Sequence, residues 1–132
     1  MTQKDPVFLL CDKVRETAFS LHEYLRHGHK ERIYEVGLAH RLGQQGLAVE
    51  QQVPLQVQDI DGTILGDLLI DLLVEQELVI EVKATRALAP EHIAQLLGYL
   101  RATRKEHGLL INFGAPKLEI RKYALSKDLN SL

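Results

Sequence analysis

The chain has 132 residues, enough for one domain with a real hydrophobic core. Hydrophobic residues make up 45% and charged residues 26%, the balance of an ordinary folded domain rather than a disordered chain. Sixteen Lys plus Arg against eighteen Asp plus Glu leave a formal charge of -2, which excludes a strongly basic nucleic-acid clamp over the whole chain but leaves room for a local basic face.

Cys11 stands alone, so an intrachain disulfide and a Cys-rich zinc site are both excluded. No run approaches the roughly 18 apolar residues of a membrane span. Residues 1–6 are polar and carry no apolar leader segment, so the expected location is the reducing cytoplasm. With no Trp and 5% aromatics, base stacking on an aromatic platform has few candidates. One domain is expected over residues 1–132, its core at about 7–125.

Asp5-Pro6 opens the first helix: Asp5 accepts from free amides and Pro6 suits the first turn. Val7, Leu10, Cys11, Val14, Ala18, Leu21 and Leu25 recur at three- and four-residue steps, one apolar stripe that ends before Gly28. A second helix is expected from about Glu31 to Gly46, with Ile33, Leu38 and Leu42 inward. The period then becomes two. Val49, Gln51, Val53, Leu55 and Val57 alternate with polar residues or Pro54, which predicts a strand with one buried face, at an edge because proline removes a ladder donor.

Residues 59–62 form a turn, and Ile64 to Val74 is an apolar strand broken only by Asp67 and Asp71. Glu75-Gln76-Glu77 is a hairpin loop, and Leu78 to Val82 a third strand. A helix is expected from Glu91 to about Arg104, closed by His107-Gly108. Leu109 to Phe113 and Leu118 to Leu125 supply further strands, and residues 126–132 a frayed tail. A helix between strands implies a crossover to a parallel neighbour. The expected fold class is α/β, a mixed sheet flanked by helices.

Asp71, Glu81 and Lys83 carry the chemistry. Glu81 and Lys83 are two apart in a strand and share one face, among Val79, Ile80 and Val82. A charged pair in such surroundings costs desolvation energy unless it is paired or binds an ion. A loop centred on Gln76 pairs position 71 with position 81, which brings the two carboxylates to roughly 5 Å at Cβ. Such carboxylates repel unless a proton or cation lies between them, and oxygen ligands suit Mg²⁺ or Mn²⁺. The plainer alternative is a solvated Glu81–Lys83 ion pair on an edge strand. His22 and His92 are read as core or capping residues, not ligands.

Asp-(x)9-Glu-x-Lys is similar to the pattern of the PD-(D/E)xK nuclease superfamily. Gly28, Glu31 and Tyr34 form Gly-x-x-Glu-x-x-Tyr, and in this the chain resembles the GxxExxY branch of that superfamily. Ala18-Phe19, His22, Val53-Pro54, Asp71–Val74, Val79–Ala84, Pro90, His92, Ala94–Leu97, Tyr99-Leu100 and Leu109–Phe113 follow the same order. The resemblance covers roughly residues 7 to 125. Two positions depart from it: Arg26-His27 stands where members often carry Gly-Pro, and Leu69 where they often carry a basic residue.

The resemblance implies a restriction-endonuclease-like αβββαβ core and a divalent-metal-dependent nuclease. Asp71 and Glu81 are the implied metal ligands, with the backbone carbonyl of Val82 as a further oxygen. Lys83 handles water and transition-state charge. A glutamate from the first helical region, Glu35 or Glu31, completes the metal shell or acts as base. Gln95 positions Lys83 or the nucleophile. Gln95-x-x-x-Tyr99 resembles the helix motif of RecB-like nucleases, and the pair also suits a plain polar anchor. Tyr99, Arg101 and Arg104 are candidates for substrate contact. The implied partner is nucleic acid, DNA before RNA, with a homodimer as a way for a small domain to grip a duplex. The alternative is a non-catalytic nucleic-acid-binding or regulatory module on the same fold. Two bound divalent ions would bring the formal charge from -2 to about +2 and make binding metal-dependent and salt-sensitive.

Overall fold

The computed structural model describes residues 5–125, so the expected tail at 126–132 lies outside the described residues. The Asp5 side chain accepts from the Val7 amide at 3.0 Å, and Pro6 opens helix α1, Pro6–Leu25. Its stripe from Val7 to Leu21 is buried as its spacing requires. The chain turns at Arg26, φ 61, and at Gly28, φ 116, then enters helix α2, Glu31–Gln44. Here the expected inward face is corrected. Leu38 and Leu42 are buried as expected, but Ile33 is exposed, and Tyr34, Glu35 and Ala39 are buried in its place. Tyr34, one turn before Leu38, takes the inward place, and its ring stacks flat on Phe113 at 4.7 Å.

Strands β1 (Val49–Gln58), β2 (Ile64–Val74) and β3 (Leu78–Lys83) form an antiparallel meander. Helix α3 (Pro90–Thr103) then crosses to β4 (His107–Asn112), which pairs parallel with β3. Strand β5 (Glu119–Ala124) closes the sheet antiparallel, so the order is β1-β2-β3-β4-β5. Pro54 does lie on an edge strand. His107 and Gly108, expected to end the helix, instead begin β4, because α3 already stops at Arg104 in a left-handed turn, φ 59.

Helices α1 and α2 cover one face of the sheet around Leu38, Leu72, Ile80 and Ile111. Helix α3 covers the other around Ile70, Val79, Leu96 and Leu110. The structure is thus α/β, three layers around a mixed sheet, as a restriction-endonuclease-like fold requires. The strict alternation expected for β1 is broken once. Val49 packs toward α1 and α2, yet Val53 and Leu55 pack toward α3. An even spacing would keep one face. Between them Gln52 has φ 51, and this left-handed residue turns the strand over; Gln51 is exposed. In β2 the same reversal falls at Asp71, since Ile70 packs toward α3 and Leu72 toward the helix pair.

Candidate active site

The β2–β3 ladder runs from Val74 opposite Leu78 to Leu72 opposite Ile80 and stops there. Continued by one step, this register sets Asp71 against Glu81, as the loop arithmetic requires. In place of a ladder bond, the Asp71 amide donates to Glu81 Oε1 at 3.1 Å. The Val82 amide in turn donates to Asp71 Oδ2 at 2.8 Å. Each carboxylate is thereby tied to the other's strand. Val82 turns its amide toward β2, and in a strand the carbonyl of the same residue lies on the same edge.

Strand β3 is central and Glu81 is only 2% exposed, so the solvated edge pair is not what forms. Burial pushes the Glu81 carboxyl up to about 9, and the neighbouring Asp71 charge adds to the rise. Lys83 is half-buried on the same face. Its Nζ donates to Gln95 Oε1 at 2.7 Å, and Gln95 Nε2 donates to the Tyr99 hydroxyl at 3.1 Å. The Gln95–Tyr99 spacing of one helical turn thus forms a relay that holds the ammonium. Tyr99 is buried, so in this structure it meets Gln95 rather than solvent.

Both glutamates of α2 face Asp71. Glu35 is 3% exposed and accepts from Gln52 Nε2 at 2.6 Å and from Arg32 at 2.5 Å. Its carboxyl is raised by burial and then by the Asp71 charge. Partial loss of water raises Glu31 as well, with Lys83 pulling it down and Asp71 pushing it up. Gln52 also reaches Asp71 Oδ1, at 3.4 Å. It therefore bridges the α2 carboxylate to the β2 carboxylate. Sequence reasoning missed it: a glutamine in a polar alternation carries no sign that its backbone will turn left-handed.

The remaining candidates sit elsewhere. Arg101 is exposed on the last turn of α3. Arg104 lines a groove with Glu75, Gln76 and Glu77, at the end of β3 opposite Lys83. His92 caps α3, its Nδ1 accepting from the Ala89 amide at 3.0 Å, and His22 is buried with Nε2 3.0 Å from the Ala115 carbonyl oxygen. Both are capping or core residues, as expected.

Among the described residues, no three His, Cys, Asp or Glu side chains close into a metal cage. The donor chemistry at Asp71 and Glu81 nevertheless fits a hard cation. Both are carboxylates and they meet across two strands; the Glu81 carboxyl is raised first by burial and then by the Asp71 charge, and a cation would offset both.

The chain is thus a three-layer α/β fold that gathers two carboxylates and a lysine where β2 leaves β3. The sequence matches the PD-(D/E)XK nuclease superfamily over residues 9–123, and the chain belongs to that superfamily. Its members are nucleases and generally use divalent metals. Among solved structures it is similar to the crystal structure of SSO0001, with a TM-score of 0.56 and 18% identity over 98% of this chain and 83% of that one. At that identity the likeness concerns the fold. No curated protein matches the chain. No helix among the described residues is long and apolar enough to cross a membrane.

Proposed function

We propose that this chain is a divalent-metal-dependent nuclease of the GxxExxY branch, hydrolysing phosphodiester bonds of nucleic acid, DNA before RNA. One observation carries the reading: Asp71 and Glu81 meet where β2 leaves the ladder, on the face where Gln95 holds Lys83. Asp71 and Glu81, with the Val82 carbonyl on the same edge, would hold Mg²⁺ or Mn²⁺. Bound there, the cation would supply Lewis acidity to the phosphate and to the attacking water.

The protein's own groups do the rest. Lys83, fixed by Gln95, orients the water and balances charge that builds on the phosphate oxygens. Tyr99 keeps the Gln95 amide turned toward Lys83. Glu35 or Glu31, with carboxyls raised by their surroundings, takes the proton released as water attacks phosphorus and the P–O bond to the leaving nucleotide breaks. Burial of Glu35 beside Gln52 keeps it fixed, while exposed Glu31 is the freer of the two.

A second reading has its own support. Asp71 and Glu81 each already accept a backbone amide, so the pair holds together without a cation. A non-catalytic nucleic-acid-binding module would use it as a strand clasp. Cleavage of plasmid and single-stranded DNA with Mg²⁺ or Mn²⁺ tests the first reading against Lys83→Ala. Activity that survives this substitution sinks the catalytic assignment. Calorimetric titration with Mn²⁺ separates the two readings, because the clasp needs no ion at Asp71 and Glu81.

A further inference from the structure

Charge is distributed very unevenly around the candidate site. From residue 42 to residue 82 the chain has no Lys, Arg or His, and it has eight Asp or Glu. That stretch contains the whole β1–β2 hairpin. A polyanion gains nothing along this flank. On the other flank, residues 26–32 read Arg-His-Gly-His-Lys-Glu-Arg, and residues 26–30 are all exposed. Arg86, also exposed, stands in the loop that follows Lys83. Among the described residues Arg26, Lys30 and Arg86 make no ion pair.

The two loops are built rigidly against Lys83. The Tyr34 hydroxyl donates to the Arg26 carbonyl at 2.6 Å and accepts from the His29 amide at 3.1 Å, which ties both ends of the 26–29 turn to one atom. The Tyr34 ring stacks on Phe113, and the Phe113 amide donates to the Lys83 carbonyl at 2.8 Å. The second loop is clasped by buried Asn112, which accepts from the Thr85 amide at 2.9 Å and donates to the Thr85 carbonyl at 3.0 Å. Gly114 lies against the Ala84–Thr85 backbone so closely that a Cβ there would fall 2.3 Å from it. Glu31, next to Lys30, sits beside the Ala84 backbone and within the field of Asp71 and Lys83. The two basic loops are therefore held next to one another at the end of β3 that carries Lys83.

We infer that the 26–30 turn and Arg86 form the phosphate-binding rim of the site. A nucleic-acid strand would cross the start of α2 and leave the acidic β1–β2 hairpin uncovered. Arg26, Lys30 and Arg86 contact phosphates, and Tyr34 is a positioning residue that holds the turn in register with Lys83. The inference rests on the nuclease reading above. It also gives Gly-x-x-Glu-x-x-Tyr a physical content: Gly28 allows φ 116, Glu31 faces the site, and Tyr34 pins the turn.

The test is fluorescence anisotropy of labelled single-stranded DNA across a salt titration, on a Lys83→Ala background that slows turnover. The combined Arg26→Gln, Lys30→Gln and Arg86→Gln variant should lower the slope of log affinity against log salt by about 2, at roughly 0.7 per lost phosphate contact. Its affinity should fall at least about tenfold. Lys13→Gln, beside the groove lined by Leu47 and Glu75, should change neither quantity. Tyr34→Phe keeps the ring stack and every charge, so it should weaken binding about threefold while the slope holds, as expected for lost neutral hydrogen bonds. Binding by the parent with an unchanged slope in the triple variant overturns the rim and leaves the nuclease reading intact. A parent that neither binds DNA nor, with Lys83 restored, cleaves it overturns both.

Discussion

Two polar networks meet at Asp71 and Glu81, one from each face of the sheet. From α3 comes a straight relay, Tyr99 to Gln95 to Lys83, made of hydrogen bonds at 3.1 and 2.7 Å. From α2 come two carboxylates, Glu35, joined to Asp71 through Gln52, and Glu31, which feels the Asp71 charge without that bridge. The α3 network uses regular geometry throughout: helical spacing on one side and strand alternation on the other. The α2 network depends on irregular backbone, above all Gln52 at φ 51. One side thus places a cation firmly, and the other stores repulsion among acids.

The sharpest way to break this division is to remove the cation. Lys83→Ala should lower Mg²⁺-supported cleavage about 10²–10³-fold, the scale for one transition-state donor. Lys83 is half-buried, so circular dichroism should report an intact fold. Gln95→Ala frees the ammonium without removing it, and the expected loss is about tenfold in kcat with KM little changed. Should Gln95→Ala match Lys83→Ala, the glutamine acts on the reaction itself rather than through the lysine.

The acidic side is tested by stability against pH. The folded-state pKa of Glu81 is raised from 4.5 to about 9, so the folded protein binds the proton more tightly than the unfolded chain does. The contribution of this proton is complete below pH 4.5 and is lost as pH rises through about 9. Metal-free protein should therefore lose stability over that window. Glu81→Gln should flatten the curve and stabilise the fold at neutral pH by about 2–3 kcal/mol. Thermal melts between pH 5 and 9 measure it. Adding Mn²⁺ should raise the wild-type melting temperature at neutral pH and leave that of Glu81→Gln nearly unchanged. A wild-type curve that rises with pH would remove Glu81 from the repulsive centre.

What was legible in the sequence follows the same division. Asp71, Glu81 and Lys83 declare themselves because charges in apolar strands are costly and the hairpin loop sets the register arithmetically. Gln95 and Tyr99 are legible from their helical spacing. The order of elements, the crossover and the edge position of Pro54 follow from period and composition. At Ile33 the apolar spacing of α2 points the wrong way, since an aromatic stack between Tyr34 and Phe113, 79 residues apart in the chain, outweighs it. The turning over of β1 and β2 at Gln52 and Asp71 was illegible too. Strand alternation assumes extended dihedrals, and a left-handed residue within a strand leaves no compositional mark. The basic rim was hidden by the overall charge of -2, which averages a cation-free hairpin with a cation-rich turn.

The smallest expected effect concerns Gln52 itself, and it tests whether the irregular backbone is maintained by the side chain. A non-glycine residue at φ 51 costs about 1 kcal/mol relative to extended backbone, and its persistence needs compensation. Here the compensation is the amide that reaches Glu35 and Asp71. Gln52→Ala keeps the backbone cost and loses both bonds, so urea unfolding should show a loss of about 1–2 kcal/mol. Gln52→Gly loses the same bonds but adopts φ 51 freely, and it should be less destabilised than alanine by about 1 kcal/mol. The reverse order would mean that the turn at Gln52 opens when its side chain is removed. In that case the face reversal in β1 is imposed by the carboxylates, and the acidic network shapes the backbone instead of resting on it.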